Sequence, residues 1–91
     1  MKFTKTFENQ LKKQFSEVMV MDERGDGHYL EMIMIDPVFV DMSRIERSRH
    51  IFSALGGFIK IVHAISVRGF TSEEWKKKRE HFKRTEYIHI R

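Results

Sequence analysis

The 91-residue chain contains no cysteine, one proline and one tryptophan. Without a thiol it forms no disulfide and offers no thiolate nucleophile or zinc–thiolate site, so any soft metal ligand has to come from a partner. No apolar run approaches the ~20 residues of a membrane span, so no membrane partner is expected. The N-terminal MKFTKTFENQLKK lacks the apolar stretch of a signal peptide, and Glu8 argues against a transit peptide. A cytoplasmic protein is the expectation. Also missing are a nucleophile–base pair, a paired-carboxylate motif and a phosphate loop, so an enzyme is not expected.

What is present suits one small domain spanning 1–91. A hydrophobic content of 41%, with eight Phe and six Met, is enough for a modest core and argues against disorder. The formal net charge of +4 favours anionic partners without setting any specificity. Five histidines are many for this length, yet no two have the spacing of a helical metal site.

Phe3, Phe7, Leu11 and Phe15 recur every four residues between Lys and Gln, which predicts an amphipathic helix. Val18 to Met21 is short and continuously apolar, as a central strand is. Residues 22–27, with two glycines and two Asp, read as a turn. His28 to Ile35 reads as a second strand with Leu30, Met32 and Met34 on one side, stopped by Pro37. Ser43 and Glu46 form a capping box for the next helix. Its apolar side carries Ile45, Ser48, Ile51, Phe52 and Leu55, with Glu46, Arg47, His50 and Ala54 opposite, and Gly56-Gly57 ends it.

The stretch IVHAISVRGFTSEEW (61–75) is the most strongly specified. Its first half alternates as a strand does, with Ile61, His63, Ile65 and Val67 on one side. Thr71 and Glu74 form a second capping box, and Phe70 and Trp75 have the spacing of a hydrophobic staple. A basic helix from Ser72 to about Thr85 follows, and residues 85–91 are left as either a strand or a tail. The order helix, strand, strand, helix, strand, helix makes a small two-layer α+β domain with a three-stranded sheet, its core over residues 3–84.

FVDMSRIERSRHIFSAL (39–55) and IVHAISVRGFTSEEW (61–75) together resemble the BolA family, whose members show a Phe-x-Gly-x-Ser-Arg lead-in to the central helix, a His-Ala strand and a Glu-Trp helix start. The similarity spans roughly residues 7 to 78. There are departures: Asp41 stands in place of the lead-in Gly, and Ser48 in place of the His of Arg-His-Arg, as in the branch that lacks it. Tyr29-Leu30 replaces a common His-Phe, the link after the central helix is shorter, and no loop cysteine is present. The resemblance implies a fold like a class II KH domain. It also implies partnership with a monothiol glutaredoxin and glutathione through a shared 2Fe–2S cluster, in iron sensing or cluster delivery, with no cofactor when alone. Some members are described as DNA-binding transcriptional regulators, which is the alternative function.

On the residues alone, His63 groups with Ile61 and Ile65 and reads as a partly buried histidine bonded to a carbonyl. The resemblance instead implies a cluster ligand, and an imidazole in place of a thiolate raises a 2Fe–2S potential. His28, at the end of the turn, has the same two readings of solvated turn residue and second ligand, with Asp26 a weaker candidate because carboxylate prefers harder metals. His50, His81 and His89 read as surface residues. Arg44, Arg47 and Arg49 with Lys76, Lys77, Lys78, Arg79, Lys83 and Arg84 read either as solvated helix faces or as a surface for an acidic partner or, weakly, DNA. No Gly-x-x-Gly loop is present to clamp a nucleic-acid backbone.

Overall fold

In the computed structural model, which describes residues 5–22, 25, 29–57, 64–82 and 87–90, the chain alternates helices with the strands they cover. Helix α1 (Lys5–Gln14) leads into β1 (Glu17–Asp22) and β2 (Tyr29–Ile35). A 3₁₀ turn (Pro37–Asp41) precedes α2 (Arg44–Leu55), and β3 (Ala64–Phe70), α3 (Ser72–Lys78), a second 3₁₀ turn (Arg79–His81) and β4 (Ile88–Ile90) follow. This is the small α+β fold expected from the sequence, and its three expected strands are all present.

The hairpin β1–β2 is antiparallel, from Glu17↔Ile35 to Asp22↔Leu30. Its turn uses the freedom that glycine allows, because Gly25 has φ +75° and its N–H donates to the Asp22 carbonyl at 3.2 Å and carboxylate at 3.0 Å. After the α2 crossover, β3 joins the other edge of β2 in parallel, from Tyr29↔Ala64 to Ile35↔Phe70. The open question about the C-terminus resolves in favour of a strand, since β4 pairs antiparallel with β1 through Val18↔Ile90, Met19↔His89 and Val20↔Ile88. The full order is β3-β2-β1-β4, which makes β1 an interior strand and explains why it is apolar on both sides.

Each sheet face has its own core. On one, Val18, Val20, Leu30, Met32, Met34 and Val67 pack with Leu11 and Phe15 at the α1 end and with Ile51 and Leu55 of α2. On the other, Met19, Ile33, Ile35 and Phe70 pack with Tyr87, Trp75 and Phe82. Phe3 lies outside the described residues, as does the Phe7 side chain, but Leu11 and Phe15 are buried as the stripe predicts.

Two sequence expectations are corrected. The buried side of α2 runs through Ile51 and Leu55 but also takes in Arg47, Ala54 and His50, whereas Ile45 is 66% exposed. Ile45 sits in the first turn, while His50 is held edge-on by the Phe15 and Phe39 rings at centroid distances of 5.8 and 6.0 Å. It is therefore a half-buried packing residue. The basic helix also ends earlier than expected. The chain turns through Arg79–His81 and is extended at Phe82, whose ring packs on Phe70, Trp75 and Tyr87.

Candidate functional site

Strand β3 has two unlike ends. At its start, Ala64 and Ser66 are exposed and Ile65 is half-buried. His63 directly precedes this strand and His28 directly precedes β2. Both histidines, like Asp26, lie outside the described residues. Their points of attachment are described, however. Tyr29 and Ala64 face each other in the parallel ladder, so the first residues of β2 and β3 lie side by side at one end of the sheet. Two histidines 35 positions apart are thus tied to adjoining strands by a register that no local pattern revealed.

The donor chemistry at this end is limited. The chain has no thiolate, and among the described residues no group of three or more His, Asp or Glu is placed to hold a metal ion. Imidazole nitrogens suit iron as minority ligands. With no cysteine in the chain, the thiolates of any iron–sulfur cluster would have to come from elsewhere.

The far end of β3 is closely packed. Both capping boxes are formed: the Glu46 N–H donates to the Ser43 hydroxyl and the Ser43 N–H to the Glu46 carboxylate, and the same pair of bonds joins Thr71 and Glu74. The staple is made as well, with the Phe70 and Trp75 rings 5.6 Å apart. Glu74 does more than cap. Its carboxylate accepts two bonds from the Arg47 guanidinium, at 2.6 and 3.0 Å, while holding the Thr71 N–H at 2.9 Å. Those Arg47 bonds, with the Thr71 backbone bond second, pull the Glu74 carboxyl down to about 2.

Arg47 completes the brace by donating to the Met42 carbonyl at 3.0 Å and the Gly69 carbonyl at 3.1 Å. Its guanidinium also lies over the Phe39 ring, 5.9 Å from the centroid. Phe39 in turn presses on Gly69 so closely that a Cβ there would fall 2.8 Å from the ring. Arg47 therefore has an internal role that its place in the charged pattern did not suggest, with only 15% of its side chain exposed.

The other expected contact cations, Arg44 and Arg49 on α2 and Lys76, Lys77, Lys78 and Arg79 in and after the last turn of α3, are exposed. Four successive residues at 3.6 per turn point around the whole helix, so the α3 group is not one stripe. His81 is also exposed, on the second 3₁₀ turn. Lys83, Arg84 and the His89 side chain lie outside the described part.

No protein-family model matches the chain. Individual proteins do. An uncharacterized protein of Buchnera aphidicola (subsp. Acyrthosiphon pisum) is 34% identical over 55 residues, 58% of this chain and 69% of that one. The acid stress protein IbaG of Escherichia coli K12 is 29% identical over 58 residues, 62% of this chain and 69% of IbaG. Among solved structures, a BolA protein homologue from Coxiella burnetii superposes with a TM-score of 0.61 at 28% identity, covering 84% of this chain and 99% of that one. The BolA domain of SufE1 from Arabidopsis thaliana shares the fold, with a TM-score of 0.64 at 20% identity over 76% of this chain and 91% of that domain. With the strand that begins at Ala64, the Glu-Trp capping box and the sheet they belong to in place, this chain is similar to BolA proteins in sequence and shares their fold.

Proposed function

We propose that this BolA-like chain is a non-catalytic cytoplasmic adaptor that joins a monothiol glutaredoxin around a shared 2Fe–2S cluster, in iron–sulfur trafficking or iron sensing. His63 supplies a nitrogen ligand, and the glutaredoxin and glutathione supply the thiolates. His28 is the second candidate on this chain. The observation that carries the reading is the parallel register Tyr29↔Ala64, which ties the His28 and His63 segments to neighbouring strands at one end of a sheet. The absence of cysteine makes the partner's sulfur obligatory.

The cluster, when bound, supplies a redox-active and transferable iron–sulfur unit whose potential an imidazole ligand raises. The chain's part is to hold that imidazole. β3 fixes the backbone from Ala64 onward by its ladder to β2, and the packed far end anchors the strand. The ring must be neutral to bind iron.

Cluster reconstitution with and without a monothiol glutaredoxin and glutathione tests the proposal. The chain alone stays colourless, and the mixture gives a coloured heterocomplex with its own visible circular dichroism. A mixture whose spectrum is that of glutaredoxin by itself contradicts it.

The second reading, a DNA-binding regulator, draws on the exposed cations of α2 and α3. Contacts of that kind give binding that collapses as salt rises and shows little sequence preference. A footprint at one sequence that survives physiological salt favours the regulator.

A further inference from the structure

Between the first turns of α2 and the free edge of β3 lies a half-open cleft of about 210 Å³. Met42, Arg44, Arg47, Ser48, Val67 and Arg68 form most of its wall, and no carboxylate lines it. Three arginines thus line one concavity beside the Val67–Phe70 half of β3, and Arg44 and Arg68 are near enough to feel each other's charge.

They are not equivalent. Arg47 is neutralised by Glu74 and bonded to two carbonyls, so it serves as wall. Arg68 lies over the Phe70 and Phe82 rings, 5.3 and 6.0 Å from their centroids, and has no carboxylate partner among the described residues. Arg44 likewise has none among them. Aromatic faces stabilise a guanidinium while leaving its N–H rim available. Burial, and then the neighbouring charge of Arg44, lowers the Arg68 pKa, the response of a cation that lacks a counter-ion.

We infer that this cleft binds the phosphate monoester group of a small molecule, held between Arg44 and Arg68 with the Ser48 hydroxyl as an additional donor. Two uncompensated positive charges match a dianion, and guanidinium forks suit tetrahedral phosphate oxygens. A carboxylate or phosphodiester, with one negative charge, leaves half of that charge unmet. The volume is below the ~300 Å³ at which sites for drug-sized ligands begin, so the cleft takes the phosphate and little more than the atoms next to it. The site is separate from the histidine end of β3 and does not depend on the cluster reading.

Titration of the full chain with inorganic phosphate, followed by ¹⁵N NMR at constant ionic strength and about pH 8, tests this, since a phosphate monoester is dianionic well above its second pKa of about 6. Saturable shifts are expected at the Ser48, Arg68 and Gly69 amides and the Arg68 Nε–H. Arg44→Gln and Arg68→Gln are each expected to weaken binding about tenfold, the loss of one charge-assisted contact. Arg44 is exposed, so its variant tests the site even if Arg68→Gln disturbs the aromatic packing. Lys77→Gln should leave the affinity unchanged. Shifts that grow linearly without saturating, equal responses along Lys76–Lys78, or wild-type affinity in both arginine variants would overturn the site. Equally tight binding of dimethyl phosphate or acetate would overturn its assignment to a monoester.

Discussion

The two halves of β3 differ more than most neighbouring segments of a small domain do. From Val67 to Phe70 the strand is buried apart from Arg68, with a capped helix directly after it and Arg47 bonded to its Gly69 carbonyl. From Ala64 to Ser66 it is exposed or half-exposed, although the same ladder to β2 runs along its whole length. One strand is therefore closely packed at one end and open to solvent at the other. Side chains interlock in the first of these halves, and the proposed cluster ligand His63 directly precedes the second in sequence. Substitutions should act unequally along the strand, and that inequality can be measured.

The largest effect is expected at Phe39, which is fully buried and in contact with Gly69, Phe15, His50 and Arg47. Phe39→Ala should cost about 3–5 kcal/mol. Gly69→Ala forces the same contact from the other side and should cost about 1–3 kcal/mol by overpacking. Ser66→Ala, on the exposed half, should stay within about 0.5 kcal/mol. Urea midpoints order the three, and a Ser66→Ala cost equal to that of Gly69→Ala would remove the contrast.

Loss of the capping hydroxyl should come next, with Thr71→Ala and Ser43→Ala each costing about 0.5–2 kcal/mol in the same assay. Thr71→Ala should lie toward the upper end, because its box also orients the Glu74 that grips Arg47. Equal values would show that the brace gains nothing from the cap.

The brace also gives the anchored end a pH signature. The Glu74 carboxyl is held near 2, below its ordinary 4.5, so its contribution is complete above about 4.5 and fades as pH falls toward 2. Its side chain is 39% exposed, and water screens the pair, so the contribution is of order 1 kcal/mol. Glu74→Gln should lower stability at neutral pH and flatten its fall across that acid interval. An unchanged acid slope in denaturation series would show that Glu74 contributes no such linkage.

What the sequence made legible was local. Both capping boxes, the staple, the Gly25 turn and the stop at Pro37 depend on residues within a few positions of one another, and each is present in the structure. Contacts between distant segments were not legible. Arg47 and Glu74 are 27 positions apart, so Arg47 looked like one more surface cation beside Arg44 and Arg49. Phe39 against Gly69 is likewise a meeting of two elements, and glycine in a strand signals a close approach without saying to what. The three residues of β4 are too few for periodicity to decide, and their strand character comes from pairing with β1. The candidate ligands His63 and His28 were suggested by resemblance to the family, and the parallel register between their strands is what the fold adds.

The central claim is that the exposed end of β3 carries a cluster ligand, and the most direct test compares His63→Ala with the native chain in the same reconstituted complex with glutaredoxin and glutathione. The variant should fold normally, as far-ultraviolet circular dichroism would report, because removing one imidazole takes away little apolar area. Its cluster should show an altered visible spectrum and a shorter lifetime than the native complex, with His28→Ala changing both less. Identical spectra and lifetimes for the His63→Ala and native complexes would contradict the account.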